Sequence, residues 1–571
     1  MNYASVRMSV LVGLIITGVI NTGHAQTPDA GAIQKQLEKQ APKAEPAPEF
    51  RLKAPAPAPK ASDDKNTFEV KAIRFTGNTQ ITTEELQAVV KSWLGLRVTL
   101  AQLDEITATV MNYYREKGLI AQAIVPPQTI SEGILEIRII EARLSSIVVK
   151  PATATSRYNI ERAKRYVERQ NPIGQNVSPE KIEEAVTLIN ETSGVRASGT
   201  LDAGENLGDT IFNLSLEDLP FIAGSAQVSN QGSRSTGIPQ ALASMSLNNL
   251  TGRGDAASIF ATGSQGSQYG QVAYNVPVGY SGLKIGMNSS YLHYQNIGPF
   301  SVGGGHGHAA TVGINASYPI WREGSRLVMF NANLDSKQYE NLGNAGVISK
   351  YDIQSLTLGL SGNFPDMAFN QIALNSWSFS AVEGYLNIRD MTQRGQDWAT
   401  AHTDGSYQKI QFSWSRQQQL GSDTWIMSSN LSGQYGFKNL NSAEQFYLGG
   451  PNGVRAYPVS QGGGQSGLML NLELRYRFNE AWQPFAFYDV GVVKQYKETW
   501  PDWEGKTWAG NIYALHGAGL GVRWQQDRYQ VNALLAAPLG NNSLLNSQGQ
   551  RVNADGRKLP VQGWINATVY F

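Results

Sequence analysis

The chain has 571 residues, room for more than one domain, and its 47 Lys and Arg against 46 Asp and Glu leave a net charge of +1. That balance gives no reason to expect a nucleic-acid partner, and the absence of cysteine excludes disulfides and thiolate metal sites. The 58 Gly, 24 Tyr and 12 Trp are costly in helices and common in turns and in strands at a membrane interface.

Residues 1–25 read as a signal peptide. Arg7 supplies the positive end, residues 10–20 an apolar core, and Gly23-His24-Ala25 the small residues of a cleavage site. The core is too short to cross a bilayer as a helix. Residues 26–41 follow as a short helix over 32–40 (AIQKQLEKQ), polar except for Ile33 and Leu37, which lie four apart on one face. So short a helix needs a surface to lie against. Its polar residues suit a wet channel better than lipid, which makes it a candidate plug held by many weak polar contacts. Composition alone also allows a disordered tail. Residues 42–66 form a Pro-rich linker, extended and partly stiff.

Residues 67–219 read as soluble α+β in two units, 67–142 and 143–219. In the first, alternation over 68–75 predicts a strand ended by Gly77-Asn78. Thr82 or Thr83 caps a helix entering Glu84-Glu85-Leu86. A longer helix starts at Leu100, with Leu103, Ile106, Val110 and Tyr114 on one face and Gly118 as its stop. Strands over 120–126 and 135–139 complete the unit. A looser copy follows, with strands over 144–149, 195–201 and 210–216 and helices over 159–168 and 179–191.

From 220 to 571 the periodicity becomes two. The clearest stretch puts Leu468, Leu470, Leu472, Leu474, Tyr476 and Phe478 on one face and Asn471, Glu473, Arg475 and Arg477 on the other. One apolar and one charged face fit a wall between lipid and a wet lumen. The alternation returns at Ile565, Ala567, Val569 and Phe571, a candidate C-terminal barrel signal. No run of 18 apolar residues occurs anywhere in the sequence, so a helical membrane protein is excluded. A closed antiparallel β-barrel is required, because an open edge in hydrocarbon leaves backbone groups unpaired. Roughly 350 residues at about 22 per strand and turn give about 16 strands. The structural rival is a soluble or surface β-rich protein.

Several segments resemble a known group. Phe75-x-Gly77, Tyr113-Tyr114-x-x-x-Gly118, Ala123-x-x-Pro126-Pro127-Gln128 and the alternating run from Gly133 to Glu141 are similar to the first POTRA domain of the two-partner (type V) secretion transporters. These form the haemolysin secretion/activation and filamentous haemagglutinin transporter-like family of the POTRA-plus-barrel superfamily. Val454-Arg455-Ala456-Tyr457 resembles the Val-Arg-Gly-Tyr/Phe motif of its lumenal loop 6, here near 449–460, with Ala456 in place of Gly. The run containing Phe487, Asp489 and Gly491 resembles its Phe-x-Asp-x-Gly strand motif. Arg455 entering the lumen needs a buried anion, and a bidentate pair with Asp489 would fix the loop; Gly491 would be small to let the loop approach. On their residues alone Arg455 reads more simply as a solvated loop charge and Asp489 as a turn residue at a strand end.

The chemistry of an enzyme is missing. No zinc spacing, phosphate loop or nucleophile–base arrangement stands out, and no cofactor is expected. His306 and His308, in a Gly-rich stretch, read as a flexible loop, and Trp500 and Trp503 as a loop or aromatic belt. The resemblance implies an outer-membrane transporter of a Gram-negative bacterium. Its POTRA domains would bind an unfolded, β-rich secreted partner (adhesin, haemolysin or contact-dependent inhibition toxin) in the periplasm. The barrel-assembly machinery, periplasmic chaperones and outer-membrane lipid would be its other partners. A barrel-assembly factor and a passive porin or small-ligand receptor are the alternatives.

Overall fold

In the computed structural model the described residues are 28–41, 67–130, 132–153, 156–504, 510–540 and 551–571. The expected signal peptide and Pro-rich linker lie outside them. Alternating strands from Ile222 onward pair antiparallel with their sequence neighbours, and the sixteenth (Gln562–Tyr570) returns to the first (Ile222–Ser229), closing a barrel. At the seam Asn566 faces Ser229 and Tyr570 faces Ser225. Phe571 and Gly224 then exchange two backbone bonds, of 3.0 and 2.9 Å. Closure leaves no sheet edge in the membrane. No helix among the described residues is long and apolar enough to cross a bilayer.

Period two decides which side chains meet lipid. In the strand Ser466–Tyr476, Leu468 is turned outward and exposed, while Asn471, Glu473 and Arg475 bond to groups inside the lumen.

The first soluble unit contains a sheet of Ala72–Thr76, Ile134–Glu141 and Ala121–Ile124, in that order, the first pair parallel. The helices Thr83–Val90 and Leu100–Glu116 cover it, each opened by a reciprocal capping box, Thr82 with Glu85 and Thr99 with Gln102. The single strand expected over 68–75 is broken. Thr67–Glu69 pairs with Arg97–Thr99 instead, because the amide of Val70 bonds to Leu96 and that of Lys71 to Gly133, so the chain changes partners between them. The second unit repeats the topology: Arg143–Pro151, Asp209–Asp218, Val195–Ala203, with helices Ile160–Gln170 and Pro179–Asn190.

This second unit is seated directly on the barrel's near turns. The amides of Asn159 and Ser193 donate to the carbonyls of Gly252 and Gly254. Glu191 accepts from Arg322 at 2.5 Å through its carboxylate and from Lys284 at 2.8 Å through its carbonyl. Arg162 lies against the rings of both Tyr166 and Tyr280, which meet edge-on, and donates to the carbonyls of Pro277 and Gly279. Those turns lie at the periplasmic mouth.

One carboxylate ties the first unit together. Glu141 accepts from the amides of Thr79 and Gln80 at 2.8 and 2.9 Å, from the Thr79 hydroxyl, and from Tyr114 at 2.9 Å. Burial pushes its pKa up, but the Thr79, Gln80 and Tyr114 donors outweigh this and hold it below the usual carboxylate range. Its contribution is therefore complete above the ordinary carboxyl pKa and is lost as pH falls through the depressed folded value. Glu141→Gln should cost about 1 kcal/mol at neutral pH, discounted for exposure. The read-out is about fivefold faster hydrogen exchange at Thr79 and Gln80, with the gap to wild type closing in acid. A gap that is absent, or that widens in acid, contradicts this assignment.

Candidate functional site

The connection between the strands Ser422–Gly436 and Ser466–Tyr476 folds back into the lumen, where Leu448, Val454, Ala456 and Tyr457 are buried. Its arginine reaches the strand Trp482–Lys494, the next one round the wall from Ser466–Tyr476. Arg455 donates to Asp489 from Nε and Nη2, both at 2.9 Å, and from its backbone amide at 3.0 Å. Nη1 donates to Glu473 at 2.7 Å, and the guanidinium lies 3.7 Å from the centre of the Phe487 ring. Asp489 is fully buried, and Asn471 adds a donor at 2.8 Å while also bonding to the carbonyl of Gly453. Asp489 thus has no exposure to water and compensates its burial with four donors.

Close approach needs small residues opposite the loop. A Cβ on Gly491 would lie 2.6 Å from Leu448 Cδ2 and 3.4 Å from Val454 Cγ2, and one on Gly517 would lie 2.6 Å from the Ala456 Cβ. Ala456 itself is not among the residues of positive φ, so nothing in its backbone conformation calls for Gly. The loop is also fastened near the seam, where Trp564 of the last strand donates to the Arg455 carbonyl at 2.7 Å.

The N-terminal helix, Ala30–Glu38, lies in the same lumen. Asp29 caps it by accepting from the Ala32 amide at 2.9 Å, so it begins two residues before the expected start. Ala30, Ile33 and Leu37 pack on wall residues that include Leu242, Leu292, Tyr339 and Tyr351. Gln34 donates to Thr311 and the Ala30 amide to Asn341, at 2.9 and 2.8 Å. The seat joins an apolar stripe to several polar bonds: Ala30, Ile33 and Leu37 pack on the wall, and Thr311, Asn341 and Ser442 bond to the helix beside them.

Helix and loop touch. The Ser442 hydroxyl donates to Asp29 at 2.6 Å, and a Cβ on Gly31 would lie 2.8 Å from Ala443. Next to them Glu444 is clamped between Lys337 at 2.9 Å and Lys409 at 2.6 Å, with Lys409 and Gln434 also on its carbonyl. Burial pushes the Glu444 carboxyl up, but Lys337, Lys409 and Lys35 outweigh it and hold it well below the carboxylate range.

Glu473, Trp564 and Glu444 were not singled out as partners of the loop by sequence reasoning. Glu473 could have been, since it shares the lumenal face with Asn471; Glu444 sits in an irregular connection that carries no period. Ile565, Ala567, Val569 and Phe571 share the outer face of the closing strand, with Ile565 and Phe571 exposed, and do not take part in the lumenal cluster. His306 and His308 belong to the strand His306–Glu323 and not to a flexible loop, because they pair with Gln295 and His293. Trp500 and Trp503 lie in a connection, packed edge-on to Tyr496. No group of three metal-ligating side chains occurs among the described residues.

Residues 208–524 match the family model for haemolysin secretion/activation protein ShlB/FhaC/HecB, and residues 68–142 match the ShlB-type POTRA domain. The chain is similar to the heme/hemopexin transporter protein HuxB of Haemophilus influenzae, strain 86-028NP, with 25% identity over 95% of this chain and 96% of the relative. It is also similar to the outer membrane transporter CdiB of Dickeya dadantii, 26% identical over 82% and 83% of the two chains. The solved structure of CdiB from Escherichia coli superposes with a TM-score of 0.67 at 20% identity, covering 92% of this chain and 94% of that one.

Breaking the arginine cluster should free the loop without opening the barrel. Arg455→Ala leaves Asp489 buried without its charge partner, a loss of about 3 kcal/mol. Arg455→Lys, which cannot bond bidentately, should fall between. The expected result is normal heat-modifiable migration with new protease cleavage between 448 and 458 in Arg455→Ala. Unchanged protection of that segment would show that the cluster does not hold the loop.

Proposed function

The chain belongs to the haemolysin secretion/activation protein family, ShlB/FhaC/HecB, and on that footing we propose that it passes a large, unfolded, β-rich partner protein across the outer membrane. The observation that carries this reading is a lumen filled by two separable elements, the helix and the loop, each fastened by side chains to a wall that is closed without them. A passive porin would need a standing aqueous path, and the resident helix argues against one.

Residues 67–142 and 143–219 act as the two periplasmic POTRA domains and 220–571 as the barrel. Strand addition to an exposed sheet edge is the recognition mode that suits an unfolded partner, since main-chain bonds give affinity without demanding one sequence. The outer strand Arg143–Pro151 is paired along one side by Asp209–Asp218 and covered on the other only at its start, by residues 174–176, which leaves the stretch beyond Leu144 as such an edge. The partner is an adhesin, a haemolysin or a contact-dependent inhibition toxin, and its folding outside supplies direction. Residues 26–41 act as a plug, Ile33 and Leu37 its seat. Arg455, with Val454, Ala456 and Tyr457, holds loop 6 through Asp489, Phe487 and Gly491. Ile565, Ala567, Val569 and Phe571 are the signal read by the barrel-assembly machinery after periplasmic chaperones deliver the chain.

Deleting residues 30–41, or the single change Gly31→Leu, which would drive a side chain into Ala443, should raise conductance in planar bilayers and leave heat-modifiability intact. Equal conductance of all three proteins would remove the plug from this account. For export itself, Arg455→Ala and Asp489→Ala should each lower release of the partner into the medium at least tenfold, at unchanged transporter levels in the outer membrane. Wild-type release by both variants would mean that the loop anchor has no part in transport.

A further inference from the structure

The outer wall carries a groove of about 1060 Å³ across the seam and the strands beside it, at the upper end of the range for small-molecule pockets, about 300–1,000 Å³. Its floor is one cross-strand row. Trp524 faces Val531, which faces Ala567, then Val228, Ala241 and Gly263. Gln268 and His293 extend the row. A second row alongside it carries Ala226, Ala243, Ala261 and Gly270 before reaching Tyr291. These residues point to lipid, because the alternate ones, Leu242, Tyr269 and Leu292, pack around the lumenal helix. Elsewhere the outer face carries bulkier residues such as Ile314, Leu334 and Leu356, which line a smaller groove of about 500 Å³, so the small side chains form the wider trough.

The trough has a direction. From Trp524 to His293 are seven interstrand steps, about 34 Å at ~4.8 Å each. With strands tilted ~40° the row climbs about 22 Å, close to the ~25 Å apolar band of such barrels. Trp524 lies near the periplasmic end of Ile512–Gln526, and His293 lies near the far, extracellular end of Leu283–Gln295. Beyond His293 the same row continues into His308, Glu340 and Lys350, above the apolar band.

There the chemistry changes. Lys350 donates to Glu340 at 3.1 Å, His308 lies 3.5 Å from the same carboxylate, and Arg389 holds Asp352 with Nε and Nη2 at 2.5 and 2.9 Å. The Arg389 amide bonds to the Lys350 carbonyl, which places the two cations side by side. Two Lys350 donors and the Arg389 Nη1 donors are left by these bonds for an outside anion, and both side chains are more than 40% exposed. The carboxylates orient the cations while the open donors face the level of lipid headgroups.

We propose that this face is a binding site for a phosphorylated lipid of the outer leaflet, its acyl chains in the trough and a phosphate at Lys350 and Arg389. The occupant follows from the sequence of environments along one row: aromatic, small apolar, then the Lys350–Glu340 and Arg389–Asp352 pairs, whose open N–H donors stand where the phosphate of a lipid in a leaflet would lie. Phosphate is favoured over carboxylate because Arg and Lys donors at fixed positions match its several oxygens. The site is independent of the export reading, since it requires only a barrel in the outer membrane.

The test uses the purified, delipidated full chain in detergent and native mass spectrometry with diphosphorylated lipid A as the probe. Wild type should retain one lipid. Ala243→Phe/Ala261→Phe, which fills the trough, and Lys350→Glu/Arg389→Glu, which reverses the cluster, should each bind at least tenfold more weakly, with heat-modifiability unchanged. Should the double Phe variant fail to fold, Ala243→Leu serves in its place with an expected loss of about threefold. Dephosphorylated lipid A should bind wild type at least tenfold more weakly than the diphosphorylated form. Retention of lipid by a filled trough, or equal binding of the two lipid A forms, overturns the site.

Discussion

A sheet standing in hydrocarbon has no water with which to satisfy its edges, and each unpaired backbone group there costs several kcal/mol. The sixteen strands therefore close upon themselves, and most of what is distinctive inside follows from that closure. A wall of this girth encloses more space than its own inward side chains fill. The helix Ala30–Glu38 and the connection from 437 to 465 occupy it. Neither belongs to the barrel's closed ladder, so each is held mainly by bonds and packing that involve side chains of the wall.

The two fastenings differ in kind. Arg455 is a cation brought by the loop to an anion on the wall, whereas Glu444 is an anion brought to two wall cations, Lys337 and Lys409. Opposite signs at the two points keep each end of the loop from docking at the other's site, since the wrong pairing would set like charges together in a confined space. The helix borrows the second fastening, for Ser442 and Ala443, which it touches, immediately precede Glu444.

Period two made the barrel legible, because a strand between lipid and water must alternate, and the face assignment of Leu468 and Glu473 holds in three dimensions. Capping chemistry made the first soluble unit legible, with Thr82 and Glu85 bonding as their spacing implies. Pairing lost to tertiary context was not legible. The alternation over 68–75 runs through Val70 without a mark, although the backbone changes partners there. Glycines around His306 suggest a loop, yet strand neighbours on both sides recruit that residue into the wall. Ile33 and Leu37 were legible as one face that needs a surface, but a stripe so short does not declare which wall residues it meets. The approach of Arg455 to Asp489 came from motif resemblance, and Glu473 joined them only through the fold.

The junction of the second soluble unit with the barrel has a kinetic side. Glu191, Arg162 and the amides of Asn159 and Ser193 fix that unit to the near turns, so its sheet edge keeps a constant distance from the lumen mouth. A polypeptide held on that edge presents its next segment to the mouth as an intramolecular event. Its effective concentration there is set by geometry, in the ~mM range for a short tether, and not by its abundance in the surrounding compartment. A freely swinging unit would spread the same segment over a much larger volume. On the export reading proposed above, the seat would act as a concentrator, gaining occupancy at the entrance without any added contact.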